Sequence, residues 1–353
     1  MQEMSRLRKK IKRLWTIQIM VVSMELKEVG EFGLIHLLKE NAIYDSSSVV
    51  VGIGDDAAVL LPSARQLQLL TTDMLVENVH FDLRTTTPWQ LGYKAVAVNL
   101  SDIAAMGGTP KHIVISLALT NQTTDFVVNL YKGMKEICRE FGVNIVGGDT
   151  VSSPQGMVVN VAAVGEVEPA NLVKRSGAQV GDAVVVTGTL GSSSAGLELL
   201  MRGEWEDYDF AWPLVTAHLT PRPQVRAGKI LAALGATSMD DISDGLASEA
   251  NEIASASGVG MRIRTADIPL ADELTQAAVV LAKKPHDYAL YGGEDFQLVF
   301  TIGADKLKVL SELDLDVKLS VIGEVVESNK GVALIDEAGH ESILEPRGYN
   351  HFR

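Results

Sequence analysis

The stretch that decides the fold is GIGDDAAVL, Gly52 to Leu60. Its first six letters fit the G-x-G-x-x-G/A fingerprint of dinucleotide-binding folds. An acid, Asp73, comes about 20 positions on, where that motif places a ribose ligand. The fingerprint needs a helix that opens on the glycines inside a βαβ unit. Here the next residues are AAVLLPSARQLQLLTTD. Pro62 comes six residues after Asp56, and Val59-Leu60-Leu61 reads as strand ahead of the next strand, Leu67–Leu70. A crossover helix has no room. The geometry is strand, glycine turn, strand, and a nicotinamide or flavin role is set aside. What remains is a pair of carboxylates on a turn beside a strand end.

One Asp-rich turn is ordinary, because Asp bonds locally to its own backbone. This chain repeats the arrangement. TTDML puts Asp73 after Thr71 and Thr72 at the end of a strand, NLSDIAAMGG puts Asp102 after Ser101 on a helix, and VGGDTVSS puts Asp149 at a strand end. DDISDG carries Asp240, Asp241 and Asp244, and YGGEDF carries Glu294 and Asp295. Gly, Ser or Thr flank most of these acids and apolar segments lead into them. Acids at the edges of core elements need partners to be held there. Few basic residues lie nearby, so the expected partners are hard divalent cations such as Mg²⁺, which take oxygen donors only. No H-E-x-x-H or C-x-x-C spacing supports zinc. Several carboxylates around Mg²⁺ point to phosphate chemistry. No P-loop occurs, since AGKI at 227–230 lacks the first glycine spacing and the hydroxyl, and no protein-kinase H-R-D or D-F-G set is present.

The chain has 353 residues, enough for two domains. Its 45 acidic and 31 basic side chains give a formal charge of −14, which repels a polyanion and argues against a nucleic-acid partner. Cys138 is the single cysteine; it cannot form an intramolecular disulfide, and its helical apolar setting reads as an inert buried thiol in a cytoplasmic protein. No run of about 18 apolar residues suggests a membrane span. The first 23 residues are basic and then apolar, but Thr16 and Gln18 interrupt the core and no A-x-A site comes after it. They read as an extension upstream of Met24 rather than an export signal. Beyond them the periodicity predicts a helix over 25–42, strands near 49–52, 57–61 and 67–70, a helix opened by Pro88 and stopped by Gly107-Gly108, a strand at 111–119, a helix over 125–141, and strands at 143–150 and 156–167. After Glu168-Pro169-Ala170 the pattern restarts: AVVVTGTLGSSSAGLELL and ATSMDDISDGLASEANEIASASG each read as strand, loop, helix, and VGMRIRTA, EDFQLVFTI and VKLSVIGEVV read as strands. The expectation is a mixed α/β chain (α+β in arrangement): an extension at 1–24, an N-terminal α/β domain at 25–168 and a C-terminal α/β domain at 169–353.

Taken together, GEFGLI, GIGDDAAV, TTDMLVENVHF, KAVAVNLSDIAAMGGTP, GGDT, RSGAQVGD, VTGTLG, ISDGL, GGEDFQL, VIGEV and GYNHF resemble, in order, the thiamine-monophosphate kinases. These belong to the superfamily that includes aminoimidazole-ribonucleotide synthetase. The resemblance covers about residues 28–352. It implies ATP-dependent phosphorylation of thiamine monophosphate to thiamine diphosphate with several Mg²⁺ ions. It also implies two α/β domains and a homodimer whose N-terminal domains build a shared β-barrel. Implied metal ligands are Asp56, Thr71, Thr72, Asp73, Asp102, Asp149, Asp241 and Asp244. Asp73, Asp102 and Asp149 are central to a metal-assisted transfer with no dedicated base. Implied ATP contacts are Gly148, Asp149, Arg175 and Ser243, and implied substrate contacts are His80, Glu294 and Tyr349. Thr71 stands where some members carry Ser, which keeps the hydroxyl. Pro346 stands where an aromatic can precede the Arg347-Gly348 pair.

The chemistry suits such a site. The acceptor phosphate is already anionic, so the difficulty is repulsion: two unit charges 4 Å apart cost about 4 kcal/mol at an effective dielectric near 20. Several residues have a bland second reading. Ser243 or Asp244 can cap the helix GLASEANEIA, Arg175 can be a surface arginine, His80 a strand histidine, and Tyr349 a packing aromatic. TGTLGSSSAG can cradle phosphate or simply connect strand to helix. Asp102 differs: it shares a helix face with Val98, Ala105 and Met106, an unusual place for a solvated acid. Other functions are a ring-closing synthetase on the same scaffold and a non-catalytic nucleotide- or metal-binding scaffold. Selenophosphate synthesis lacks its N-terminal reactive Cys or selenocysteine, and a hydrogenase-maturation factor lacks its C-terminal Cys.

Overall fold

The computed structural model describes residues 34–35, 37–53, 58–203, 205–328 and 331–349. Asp56, the 1–24 extension and most of the helix predicted at 25–42 lie outside the described residues. Strands β1 (Val49–Val51) and β2 (Val59–Leu60) pair antiparallel, so the opening motif joins two strands of one ribbon and does not lead into a helix. Strand β3 (Leu67–Val76) runs further than predicted. Its ladder continues past the threonines, which puts Asp73 inside the strand and not at its end.

Helix α1 (Pro88–Ala105) starts with a capping box: Thr87 accepts from the Gln90 N–H and Gln90 accepts from the Thr87 N–H. It is apolar nearly all round and is accordingly buried on most faces. Strand β4 (Thr109–Leu119), helix α2 (Thr124–Phe141) and strand β5 (Asn144–Ser152) form a parallel crossover, and β6 (Val158–Val167) completes a sheet of order β3-β6-β4-β5. Asp149 lies within β5, also not at its end. The inner face of this sheet packs on α1 and α2 through Leu75, Ile113, Ile115, Val159 and Val161. The two helices meet backbone to backbone: a Cβ on Gly92 would stand 1.9 Å from the Leu130 carbonyl oxygen, and one on Gly133 1.9 Å from that of Trp89. The outer face is open among the described residues. Leu70 and Met74 there are 78% and 54% exposed, and the sheet is not closed into a barrel.

The second half holds a seven-stranded sheet of order β13-β12-β9-β11-β7-β10-β8. Its elements in chain order are β7 (Asp182–Thr187), α3 (Ser192–Arg202), α4 (Ala211–Leu219), α5 (Val225–Ala233), β8 (Ser238–Asp241), α6 (Leu246–Ser257), β9 (Gly260–Arg264), α7 (Asp272–Leu281), α8 (Pro285–Tyr291), β10 (Leu298–Gly303), α9 (Leu307–Ser311), β11 (Leu319–Val326), β12 (Val332–Ile335) and β13 (Glu341–Ile343). One face packs on α6 through Val184, Val186 and Ile263, and the other on α5 through Val185, Phe300 and Ile302. Coverage on both faces is why AVVVT is continuously apolar rather than alternating. Gly228 lets α5 touch α1; a Cβ there would fall 2.2 Å from the Ala104 carbonyl oxygen, so the two halves abut beside the last turn of α1.

Glu198 on α3 ties three helical segments. It accepts from Lys283 Nζ at 2.7 Å, Tyr288 Oη at 2.6 Å and Arg202 Nη2 at 2.8 Å. Burial pushes its carboxyl up, but the three donors outweigh burial and hold it at about 2, below the ordinary 4.5. Its stabilising effect is therefore complete above about pH 4.5 and is lost as pH falls toward 2. Glu198→Gln is expected to cost about 1–2 kcal/mol at pH 7 and progressively less in acid, read by urea unfolding at pH 7 and pH 3.

Candidate active site

Three elements bring acids to one place. On β3, Thr71 and Asp73 point to the inner face, toward the last turns of α1. Thr71 Oγ1 donates to Asp102 Oδ2 at 2.5 Å. The Asp73 N–H donates to Asn99 Oδ1 at 3.1 Å, and buried Asn99 is itself steadied by a bond from Nδ2 to the Ala95 carbonyl. Ser101 Oγ donates to Asp241 Oδ2 at 2.6 Å, which joins α1 to the end of β8 in the other half. Asp240 precedes it and holds Arg175 Nε at 2.7 Å, while Arg175 Nη1 meets Glu252 at 2.9 Å.

The carboxylates repel one another. Burial, and then the charge of Asp102, pushes Asp73 up to about 7. Burial raises Asp102, tempered by the Thr71 hydroxyl and Arg175. Burial raises Asp241 well above its ordinary value, with Asp102, Asp240 and Asp73 adding to it. Asp240 stands at about 7 through burial, in spite of Arg175. Glu249 on α6, also buried, stands at about 9. Among the described residues Arg175 is the cation paired with this group, and no lysine forms an ion pair with it, so the cluster is short of positive charge. Carboxylate and hydroxyl oxygens without His or Cys suit Mg²⁺. Among the described residues, however, no three acids are already collected as a preformed metal cage. They are neighbours across two halves of the chain, and Asp56 lies outside the described residues.

Hydrogen bonds decide two alternatives that the sequence leaves open. Neither Ser243 nor Asp244 caps α6: its first turn starts from Gly245, at φ +114°, with no side-chain cap. Instead Glu249 Oε1 accepts from the Asp244 N–H at 2.8 Å. The N-terminus of α3 is filled by the chain's own Asp295, which accepts from the Gly191 N–H at 2.5 Å and the Ser193 N–H at 3.1 Å. TGTLGSSSAG is thus a strand-to-helix connection and not a phosphate cradle.

A second group lies close by. Glu294 Oε2 accepts from Lys94 Nζ at 2.8 Å and stands 3.2 Å from His218 Nδ1. Burial pushes the Glu294 carboxyl up, but Lys94, His218 and His80 outweigh it and hold it below the usual range. His80 lies in the turn after β3, not in a strand, and its Nδ1 accepts from the Val76 N–H at 3.0 Å. Tyr349 is half exposed, donates its N–H to the Asp244 carbonyl at 3.2 Å, and lines a cleft of about 470 Å³ with Asp244, Ser248, Asn251 and Pro346.

Thr72 and Asp149 are not gathered with these, whereas Gly148 is in register with Ile115, Val161 and Asp73 and so lies on the inner face. Met74, Asn160, Ser116 and Asp149 are Cα partners across the sheet, so Asp149 shares the outer face with Met74 while Asp73 faces inward. Thr72 is on the outer face too, donating to the Val161 carbonyl and accepting from Asn160 Nδ2. Sequence reasoning missed Lys94, His218 and Glu249. Only Lys94 left a signal, as a charge inside an apolar helix with no polar face to lodge it.

Residues 54–167 match the family described as AIR synthase related protein, N-terminal domain, and residues 179–336 match its C-terminal domain. Fold and site together define an AIR synthase-related protein. Thiamine-monophosphate kinase of Bacillus subtilis (strain 168) is 39% identical over 333 residues, spanning 92% of this chain and 100% of the relative; that of Aquifex aeolicus (strain VF5) is 40% identical over 330 residues, 93% and 100%. The chain belongs to the thiamine-monophosphate kinase family. The crystal structure of the enzyme from Stenotrophomonas maltophilia K279a superposes with a TM-score of 0.78 at 31% identity, covering 91% of this chain and 99% of that one. AaThiL complexed with AMPPCP and TMP superposes at 0.74 with 40% identity, covering 94% and 100%.

Proposed function

We infer that this chain transfers the γ-phosphoryl group of ATP to the phosphate of thiamine monophosphate, yielding thiamine diphosphate and ADP in a Mg²⁺-dependent reaction. The observation that carries the reading is the inward set Asp73, Asp102 and Asp241, held beside Thr71 and Ser101 and short of positive charge. The family supplies the substrates: a relative was solved with AMPPCP and TMP together.

Thr71, Asp73, Asp102 and Asp241 are the residues that would hold Mg²⁺, and the family resemblance adds Asp56 and Asp244. When bound, the metal neutralises charge on both phosphates and favours in-line approach. Asp240 and Glu252 aim the exposed guanidinium of Arg175, which serves as a phosphate clamp alongside Ser243. Glu294 accepts from the substrate's amino group, with His80 nearby, and Tyr349 offers an aromatic face to the cationic ring. The acceptor oxygen is already anionic, so no residue is assigned as a base.

The uncovered apolar face of the first sheet, with Leu70, Met74, Val114 and Val151 exposed, supports a homodimer in which two such sheets face each other as a shared barrel. Thr72 and Asp149 stand on that face, so their ligand roles belong to the dimer rather than to one chain. We set the domain boundary at 168/169 and assign the protein to the cytoplasm; no described helix is long and apolar enough to cross a membrane. Incubation with ATP, Mg²⁺ and thiamine monophosphate is expected to give thiamine diphosphate by mass, and nothing when any one is omitted. Turnover of a formylglycinamidine substrate would replace this reading with a ring-closing synthetase, and binding without turnover would replace it with a scaffold.

A further inference from the structure

We propose that Lys94, backed by His218, is a positioning residue that aims Glu294 at the amino group of thiamine monophosphate and thereby sets the affinity for that substrate. The proposal rests on the substrate role of Glu294 given above.

Lys94 is 2% exposed in the middle of α1, beside buried Leu91, Ala95 and Val98. A buried ammonium is costly unless paired and hydrogen-bonded. Its partner arrives from 200 positions away: Glu294 Oε2 at 2.8 Å. His218, 4% exposed on α4, places Nδ1 3.2 Å from that same oxygen and 3.2 Å from Ser193 Oγ. The hydrogen bond of Nδ1 is with Ser193 Oγ, and the ring edge packs against the Glu294 carboxylate. The ring stays neutral, because burial, and then the charge of Lys94, holds its pKa at about 3. Oε2 is therefore held by Lys94, with the His218 ring packed beside it. Oε1 takes no donor from the described residues, and the side chain keeps 25% of its surface open. The backbone is fixed as well: Glu294 comes after Gly292-Gly293, has φ +67°, and donates its N–H to the Ser243 carbonyl at 2.7 Å. One oxygen is locked and the other is presented, already ionised. That is a preorganised acceptor for an N–H donor of a cationic ligand, which loses little freedom on binding.

A purely structural ion pair predicts a different outcome. Its loss would lower stability and leave the KM for both substrates unchanged in the molecules that fold. The test compares Lys94→Met, Glu294→Gln and the double variant, each as full chain, by KM for thiamine monophosphate, KM for ATP and kcat. Lys94→Met is expected to raise the KM for thiamine monophosphate about ten-fold or more, with KM for ATP and kcat within about two-fold. The double variant has no lone buried charge, so it serves where Lys94→Met alone fails to fold. It is expected to match Glu294→Gln, because without the carboxylate Lys94 has nothing to aim. An unchanged KM for thiamine monophosphate in Lys94→Met, an equal rise in both KM values, or a double variant about ten-fold worse than Glu294→Gln overturns the proposal. If Glu294→Gln itself leaves that KM unchanged, the substrate role of Glu294 is wrong and the proposal goes with it.

Discussion

Asp73→Asn is expected to keep the fold and to lower kcat by about a thousand-fold or more. Its carboxylate is the one charge that β3 contributes to the inward cluster, and removing one such preorganised electrostatic partner typically costs about 10²–10³ in rate, more where metal is lost as well. The stability of the same variant is the control. Asp73 titrates at about 7, above its ordinary 3.8. A carboxyl whose folded pKa is raised makes the native state less stable as pH climbs from about 4 to about 7, and the penalty is constant above that. At pH 8 without Mg²⁺ the variant should therefore be at least as stable as the parent, since Asn carries no charge for Asp102 to repel. Adding Mg²⁺ should raise the parent's Tm clearly and the variant's much less. Thermal unfolding with and without Mg²⁺, beside kcat, decides it. An Asp73→Asn protein that unfolds or keeps its turnover would show that the inward acids are not the catalytic metal site.

The second large effect is on folding. Gly92→Val should destabilise the protein by about 3 kcal/mol or more and yield mostly insoluble chain. The added carbons would meet the Leu130 carbonyl, which is backbone and cannot rotate away. Helices α1 and α2 would have to separate, exposing the core formed with Leu91, Leu130 and Met134. Gly142→Ala is the contrast. That glycine caps α2 at φ +68° with open space around it, so the cost is only the left-handed backbone, about 1 kcal/mol. Urea unfolding of both variants measures the difference. Equal costs would mean that the helix crossing tolerates a side chain.

Much of this molecule can be read along the chain. Pro62 excludes the crossover helix, and the β1–β2 ribbon stands in its place. Asp102 stands on an apolar helix face and is found half-buried against Thr71. Local pattern also places nearly every strand around an acid. It fails where the partner is remote. Nothing near Glu294 announces Lys94, 200 positions earlier, because the pairing exists only once α1 lies against the loop after α8. The cap of α6 departs from its local pattern for a related reason: Ser243 and Asp244 have the right chemistry, but Gly245 turns the chain through a conformation that removes them from capping distance, and Glu249 takes the bond. Helices α4, α5, α7, α8 and α9 are not anticipated because each is ten residues or shorter, too short to show a clear helical period. The side of the sheet that Asp149 occupies depends only on pairing register, which a strand's own letters do not disclose.

Strand β3 keeps two sets of residues apart by its register. Its odd-numbered positions, Thr71 and Asp73, face the acid cluster, while its even-numbered ones, Leu70 and Met74, are oily and face the other way. A slip of a single residue against β6 would trade the two sets, turning the acid outward among the exposed apolar groups and driving methionine into the carboxylate nest. The ten-residue ladder therefore works as a keyed joint: one pairing puts the acid against its partners and the apolar side chains on the open face, and the slipped pairing does neither.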